Sequence, residues 1–118
     1  MTDSGVSHLL TVSLSHSGAA VVVRAVGEID ITSAPRLRTV LEEIPAGAPG
    51  PVVDLSRVEF MGSVGLSLLL AAAEKADPDR VRVVASRQVR RPIEVTGLDQ
   101  VLALFDSLEA ALADFQRR

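Results

Sequence analysis

Cysteine is absent from the chain, so neither a disulfide framework nor a thiolate metal site can form. Histidine is nearly absent: His8 and His16 both lie in the first sixteen residues, which argues against a structural metal. There is no Trp and no Tyr, and three Phe supply no platform on which single-stranded nucleic acid could stack. Lysine occurs once, at Lys75, against eleven arginines, yet acids still outnumber these bases by 15 to 12, leaving a net charge of −3. Nothing electrostatic therefore favours nucleic acid or an anionic membrane surface. Long hydrophobic runs are missing as well. The longest, Leu66 to Ala73, is broken by Ser67 and stops at Glu74 and Lys75, far short of the roughly 20 residues a membrane span requires. Met1-Thr-Asp-Ser-Gly lacks the basic start and apolar stretch of a secretory signal, so the expected location is the cytoplasm.

What is present suits a folded domain. Hydrophobic residues are 47% of 118 and mean hydropathy is +0.32, enough apolar surface for one core and too short a chain for two. The expectation is a single domain over residues 1–118, with the first few residues flexible. Leu10, Val12 and Leu14 alternate with polar neighbours, Ser17-Gly18 marks a turn, and Ala20 to Val26 is a β-branched run ending at Gly27, the pattern of a hairpin. Thr32, Ser33 and Pro35 signal a helix start, and Leu37, Val40, Leu41 and Ile44 recur at helical spacing until Pro45. A breaker cluster from Pro45 to Pro51 leads into a buried strand at Val52 to Leu55.

Ser63 to Ala76 reads as a second helix, apolar on nearly every side and closed by Asp77-Pro78, with Leu66, Leu69, Leu70 and Ala73 as its expected buried face. Arg82 to Ala85 is a short strand, and Val89, Ile93 and Val95 line a third helix that stops at Thr96-Gly97. Val101 to Phe105 follows as an edge strand, and Leu108, Ala111, Leu112 and Phe115 form a last helix with Ser107 as its N-cap. Strands alternating with helices after a hairpin predict an α/β layer on a mixed sheet.

Ser63 sits between a strand and a helix, as an elbow nucleophile would. The elbow fails, because Met61 stands two residues before the serine where glycine is needed, and neither histidine lies where it could act as base. Phosphate loops of the G-x-G-x-x-G and G-x4-G-K-[ST] kinds are absent too. No catalytic residue is assigned and no enzyme activity, cofactor or metal is expected. On physical grounds Ser63 reads as an N-cap, and the same place suits a phosphate, which would meet free amides at the positive end of the helix dipole. Asp54 either ends a strand or belongs to the acceptor pocket. Arg80, Arg82, Arg87, Arg90 and Arg91 alternate with acids and read as a solvated face.

Three segments, Gly27-Glu-Ile-Asp30, Val53-Asp-Leu-Ser-Arg-Val-Glu-Phe-Met61 running into Ser63-Val-Gly-Leu66, and Val89-Arg-Arg with Thr96-Gly-Leu98, occur in an order and spacing that resembles the sulphate transporter and anti-sigma factor antagonist (STAS) family over nearly the whole chain. The resemblance implies a mixed sheet of four to five strands with about four helices packed mainly on one side. It also implies an anti-sigma factor antagonist: a protein that binds an anti-sigma factor, often a Ser/Thr kinase, and so releases a sigma factor. Phosphorylation at the position matching Ser63 would switch it off, and a phosphatase would reset it. Glu28, Asp30, Thr32, Gly62, Ser63, Val64, Gly65 and Leu66 are the partner-binding residues this implies, with neither nucleic acid nor membrane insertion involved. Members usually carry Asp-Ser-Ser-Gly-Leu where this chain has Gly62-Ser-Val-Gly-Leu66, so the carboxylate beside the acceptor is missing. The alternatives are a regulatory subunit docking on a transporter ATPase and a module sensing a nucleotide or other small ligand.

Overall fold

A computed structural model describes residues 10–117. The expectation for the first few residues, and His8 with it, falls outside them. Five strands lie side by side in chain order: β1 (Leu10–Ser17), β2 (Ala20–Ile29), β3 (Val52–Met61), β4 (Val81–Ala85) and β5 (Leu102–Phe105). β1 and β2 form the antiparallel hairpin, and the remaining neighbours run parallel. Each parallel step needs a crossover, supplied by α1 (Ala34–Glu42), α2 (Ser63–Ala76) and α3 (Arg87–Val95); α4 (Leu108–Gln116) closes the chain.

Strand alternation sorts the core into two layers. Val23, Ala25, Val53, Leu55, Val58, Val81 and Val83 point to the side covered by α1, α2 and α3. Ala20, Val22, Val52 and Val84 point to the other side, where α4 alone packs through Ala111 and Phe115. This matches the mixed sheet with helices mainly on one side that the motifs implied.

Two strands run longer than the sequence pattern suggested. β2 continues past Gly27 to Ile29 and β3 past Leu55 to Met61. Polar residues at Glu28, Ser56, Arg57 and Glu59 hide these extensions, and their pairing absorbs two register shifts, after Arg24 and after Gly27, whose φ is +122°. The consequence is functional: both extended ends carry the chain to the same rim of the sheet.

Two helices and one strand residue need correction. α2 buries Gly65, Leu68, Leu69, Ala73 and Ala76, while Leu70 is exposed and Leu66 half-buried; an all-round apolar helix does not declare which stripe meets the sheet. Val95 is 75% exposed, because the last residue of α3 lies beyond the covered face. Arg82 is not a solvated charge. It is 6% exposed on the α4 face, where its Nε donates to Asp114 Oδ2 at 2.9 Å and its guanidinium lies 5.2 Å from the Phe115 ring centroid. Gly97 does cap α3 in the left-handed region, at φ +78°, and Ser107 accepts from the Ala110 amide at 3.1 Å as the N-cap of α4.

Candidate functional site

β2 and β3 deliver their C-terminal ends to one place. The Gly62 amide donates to the Ile29 carbonyl at 2.9 Å, so the loop after β2, which starts at Asp30, is tied to the turn that starts α2. Ser63 and Asp30 are each the chain neighbour of one member of that bond. Ser63 is exposed.

Ser63 is the first residue of α2, not its N-cap. That position belongs to Gly62, in extended conformation, and no side chain caps the helix. The chain enters the helix one residue earlier than expected, with Gly62 held in extended conformation at the cap position by its bond to the Ile29 carbonyl. The first turn also carries no acidic residue, so the positive end of the helix dipole is not offset by a side chain of its own first turn. Gly65, the third helical residue, is fixed by close approach: a Cβ there would fall near Met61 Cγ and Sδ, and 3.1 Å from Ile29 Cγ2. Only glycine lets the helix start lie this near the strand ends. At Gly62, by contrast, an added Cβ would meet the Phe60 ring at 3.6 Å and Ile29 O at 3.7 Å, ordinary contact distances.

The loop after β2 is organised by Asp30. Its Oδ1 accepts from the Thr32 hydroxyl at 2.7 Å, the Thr32 amide at 2.9 Å and the Ser33 amide at 3.0 Å. The Thr32 hydroxyl, followed by the Ser33 amide, holds the Asp30 carboxyl below the usual carboxylate range. Ser33 is fully buried; its hydroxyl donates to the Glu28 carbonyl at 2.8 Å and accepts from the Asp30 amide at 2.9 Å. Asp30 rather than Ser33 thus satisfies amides at the start of α1. A carboxyl with a lowered pKa stabilises the folded loop above its unfolded pKa and loses that contribution as pH falls through its folded one. Protection of the Thr32 amide against hydrogen exchange is therefore expected to hold at about pH 5 and to fade below about pH 3.9. Asp30→Ala is expected to remove the Thr32 protection at every pH, whereas the Ser33 amide keeps the Asp30 carbonyl as an acceptor at 3.2 Å.

The expected site residues fall into three groups. Thr32 and Ser63 are exposed; Glu28, Asp30, Gly62, Val64 and Leu66 are half-buried; Gly65 is buried. Val64 and Leu66 pack against the core, and Glu28 is a strand residue paired with Phe60. Asp54 lies elsewhere. It is buried on the α4 face of β3, where Oδ1 accepts from the Ser56 amide at 3.0 Å and hydroxyl at 2.7 Å and Oδ2 lies 4.0 Å from Arg24 Nε. Two residues at this rim went unnoticed in the sequence: Ile31, 81% exposed, and Phe60, 52% exposed. Ile31 stands as an apolar side chain between Asp30 and Thr32, whereas Phe60, next to Met61, carries no such signal.

A family model described as "Mlab, STAS domain" matches residues 12–109. The chain belongs to the STAS domain family. It is 42% identical over 106 residues to the anti-sigma-F factor antagonist RsfB of Mycobacterium tuberculosis, covering 87% of each. The crystal structure of an anti-sigma factor antagonist from Mycobacterium paratuberculosis superposes with a TM-score of 0.80 at 38% identity, covering 89% of this chain and 92% of that one. The anti-sigma factor antagonist SpoIIAA in its unphosphorylated form shares the fold, with a TM-score of 0.69 at 21% identity and coverage of 91% and 98%. Gly62, unlike Gly65, leaves room for a Cβ.

Proposed function

We propose that this STAS domain, taken as one unit over residues 1–118, is an anti-sigma factor antagonist that binds an anti-sigma factor and is switched by phosphorylation of Ser63. The observation that carries the reading is an exposed serine in the uncapped first turn of α2, tied through Gly62 and Ile29 to the Asp30 loop, in a chain similar to anti-sigma factor antagonists over most of its length. In this role the chain is a kinase substrate, not an enzyme. The partner is an anti-sigma factor that is itself a Ser/Thr kinase, and a phosphatase resets the switch. Location in the cytoplasm, with the transcription machinery, follows from that role.

The binding surface in this reading comprises Glu28, Asp30, Thr32 and the 62–66 turn, with Ile31 and Phe60 as apolar anchors. Gly65 acts by letting the helix approach and not by contact. Exposed aromatic and aliphatic groups at the centre of a loop cluster are where interface energy concentrates. Phe60→Ala is therefore expected to weaken anti-sigma binding tenfold or more in calorimetric titration, with the thermal midpoint unchanged because the ring is half outside the fold. Purification of the chain from its host, with mass spectrometry of the captured partner and of Ser63, tests the whole reading. An anti-sigma factor in the complex and phosphate on Ser63 in the unbound pool are the expected results. Capture of a transporter subunit, or a Ser63 that is never modified under any condition in which the partner is released, would overturn it.

A further inference from the structure

The two edges of the sheet are unlike. β5 has only four residues, is followed by Asp106, and has its Leu102 carbonyl accepting from Arg80 Nη1 at 3.3 Å. Shortness, charge and a covered backbone group are the usual ways a strand edge is kept from pairing with another chain. β1 has none of them. It is eight residues long, Leu-Thr-Val-Ser-Leu-Ser-His-Ser, with no Lys, Arg, Asp, Glu, Pro or Gly. Its pairing to β2 runs from Leu10 opposite Gly27 to Ser17 opposite Ala20 without a bulge, and no described residue pairs with its outer side.

We propose that this edge pairs antiparallel with the same edge of a second copy, joining two five-stranded sheets into one. Two-fold pairing sets residue i opposite residue j and j opposite i, so both strands bring the same side chains to one seam and any charge on the edge enters it twice, with the same sign. An edge free of fixed charge, in a chain whose net charge is −3, is what self-pairing requires. Leu14 adds an apolar contribution. It alternates onto the face where Leu10 is buried, yet is 37% exposed, and a neighbouring strand would cover it. The contact is one strand wide, well under the roughly 1,200 Å² of a stable complex, so the dimer is weak and reversible.

The test uses the full chain alone. Sedimentation velocity from about 10 µM to about 1 mM is expected to show reversible monomer–dimer exchange, and backbone amides of β1 are expected to gain hydrogen-exchange protection as concentration rises. Ser15→Lys is expected to weaken the dimer at least tenfold without moving the thermal midpoint of the monomer. Ser15 is chosen because it is opposite Val22 in the hairpin, whereas Ser13 is opposite Arg24 and a lysine there would disturb the monomer. A chain that stays monomeric to about 1 mM, or a dimer indifferent to Ser15→Lys and without added protection in β1, overturns the proposal. Neither result bears on Ser63.

Discussion

Ser63→Asp, or phosphate on Ser63, is expected to weaken anti-sigma factor binding tenfold or more, and Ser63→Ala to leave it unchanged. The cause is a charge placed at an interface. A phosphate carries roughly −1.5 to −2, and in the free protein the uncapped start of α2 receives it well: no acidic side chain stands in the first turn and no side chain takes the free amides. Stabilisation by the helix terminus is about 0.3 to 2 kcal/mol, so the free domain keeps its fold. In the complex that charge must lose water, and the ionised Asp30, tied to the same rim through Ile29 and Gly62, adds repulsion. A penalty of several kcal/mol is reasonable for a charge buried without a partner, and each 1.4 kcal/mol is about tenfold in affinity. Aspartate carries less charge and fewer acceptor oxygens, so its effect is the smaller of the two. Calorimetric titration of the four forms against the cognate anti-sigma factor decides the matter. Equal affinities would leave Ser63 as a surface residue of a helix start.

The second large effect is on stability. Leu69→Ala is expected to lower unfolding free energy by about 2 to 5 kcal/mol. Leu69 is fully buried in the main core between α2 and the sheet, and removing its branched end leaves a cavity that the strand residues behind it cannot fill without moving the sheet. A domain of this size holds only about 5 to 15 kcal/mol in all, so the shift in denaturation midpoint should be plain in urea. Leu70→Ala is the internal comparison. Its side chain is 38% exposed one position along the same helix, and its loss should register at a fraction of the Leu69 effect. Equal effects at the two positions would mean that α2 is rotated from the orientation described.

Much of this protein was determined by sequence alone. The absence of cysteine excluded disulfides, and the even spacing of apolar runs dictated an α/β layer, because period-two and period-3.6 patterns select strand and helix before any contact forms. Turn chemistry was equally local: Gly18, Gly97 and Ser107 act where the sequence placed them. Tertiary structure decided the rest. Which stripe of α2 is buried depends on where the sheet lies, so Leu68 replaced Leu70. Arg82 was buried rather than solvated because Asp114 and Phe115, more than thirty residues away, close over it. Asp54 was turned to the face away from the helix start by strand alternation. Ser63 moved from cap to first helical residue because a carbonyl from another strand, Ile29, captures Gly62. Each of these outcomes depends on a partner distant in sequence, and a pattern read along the chain does not contain it.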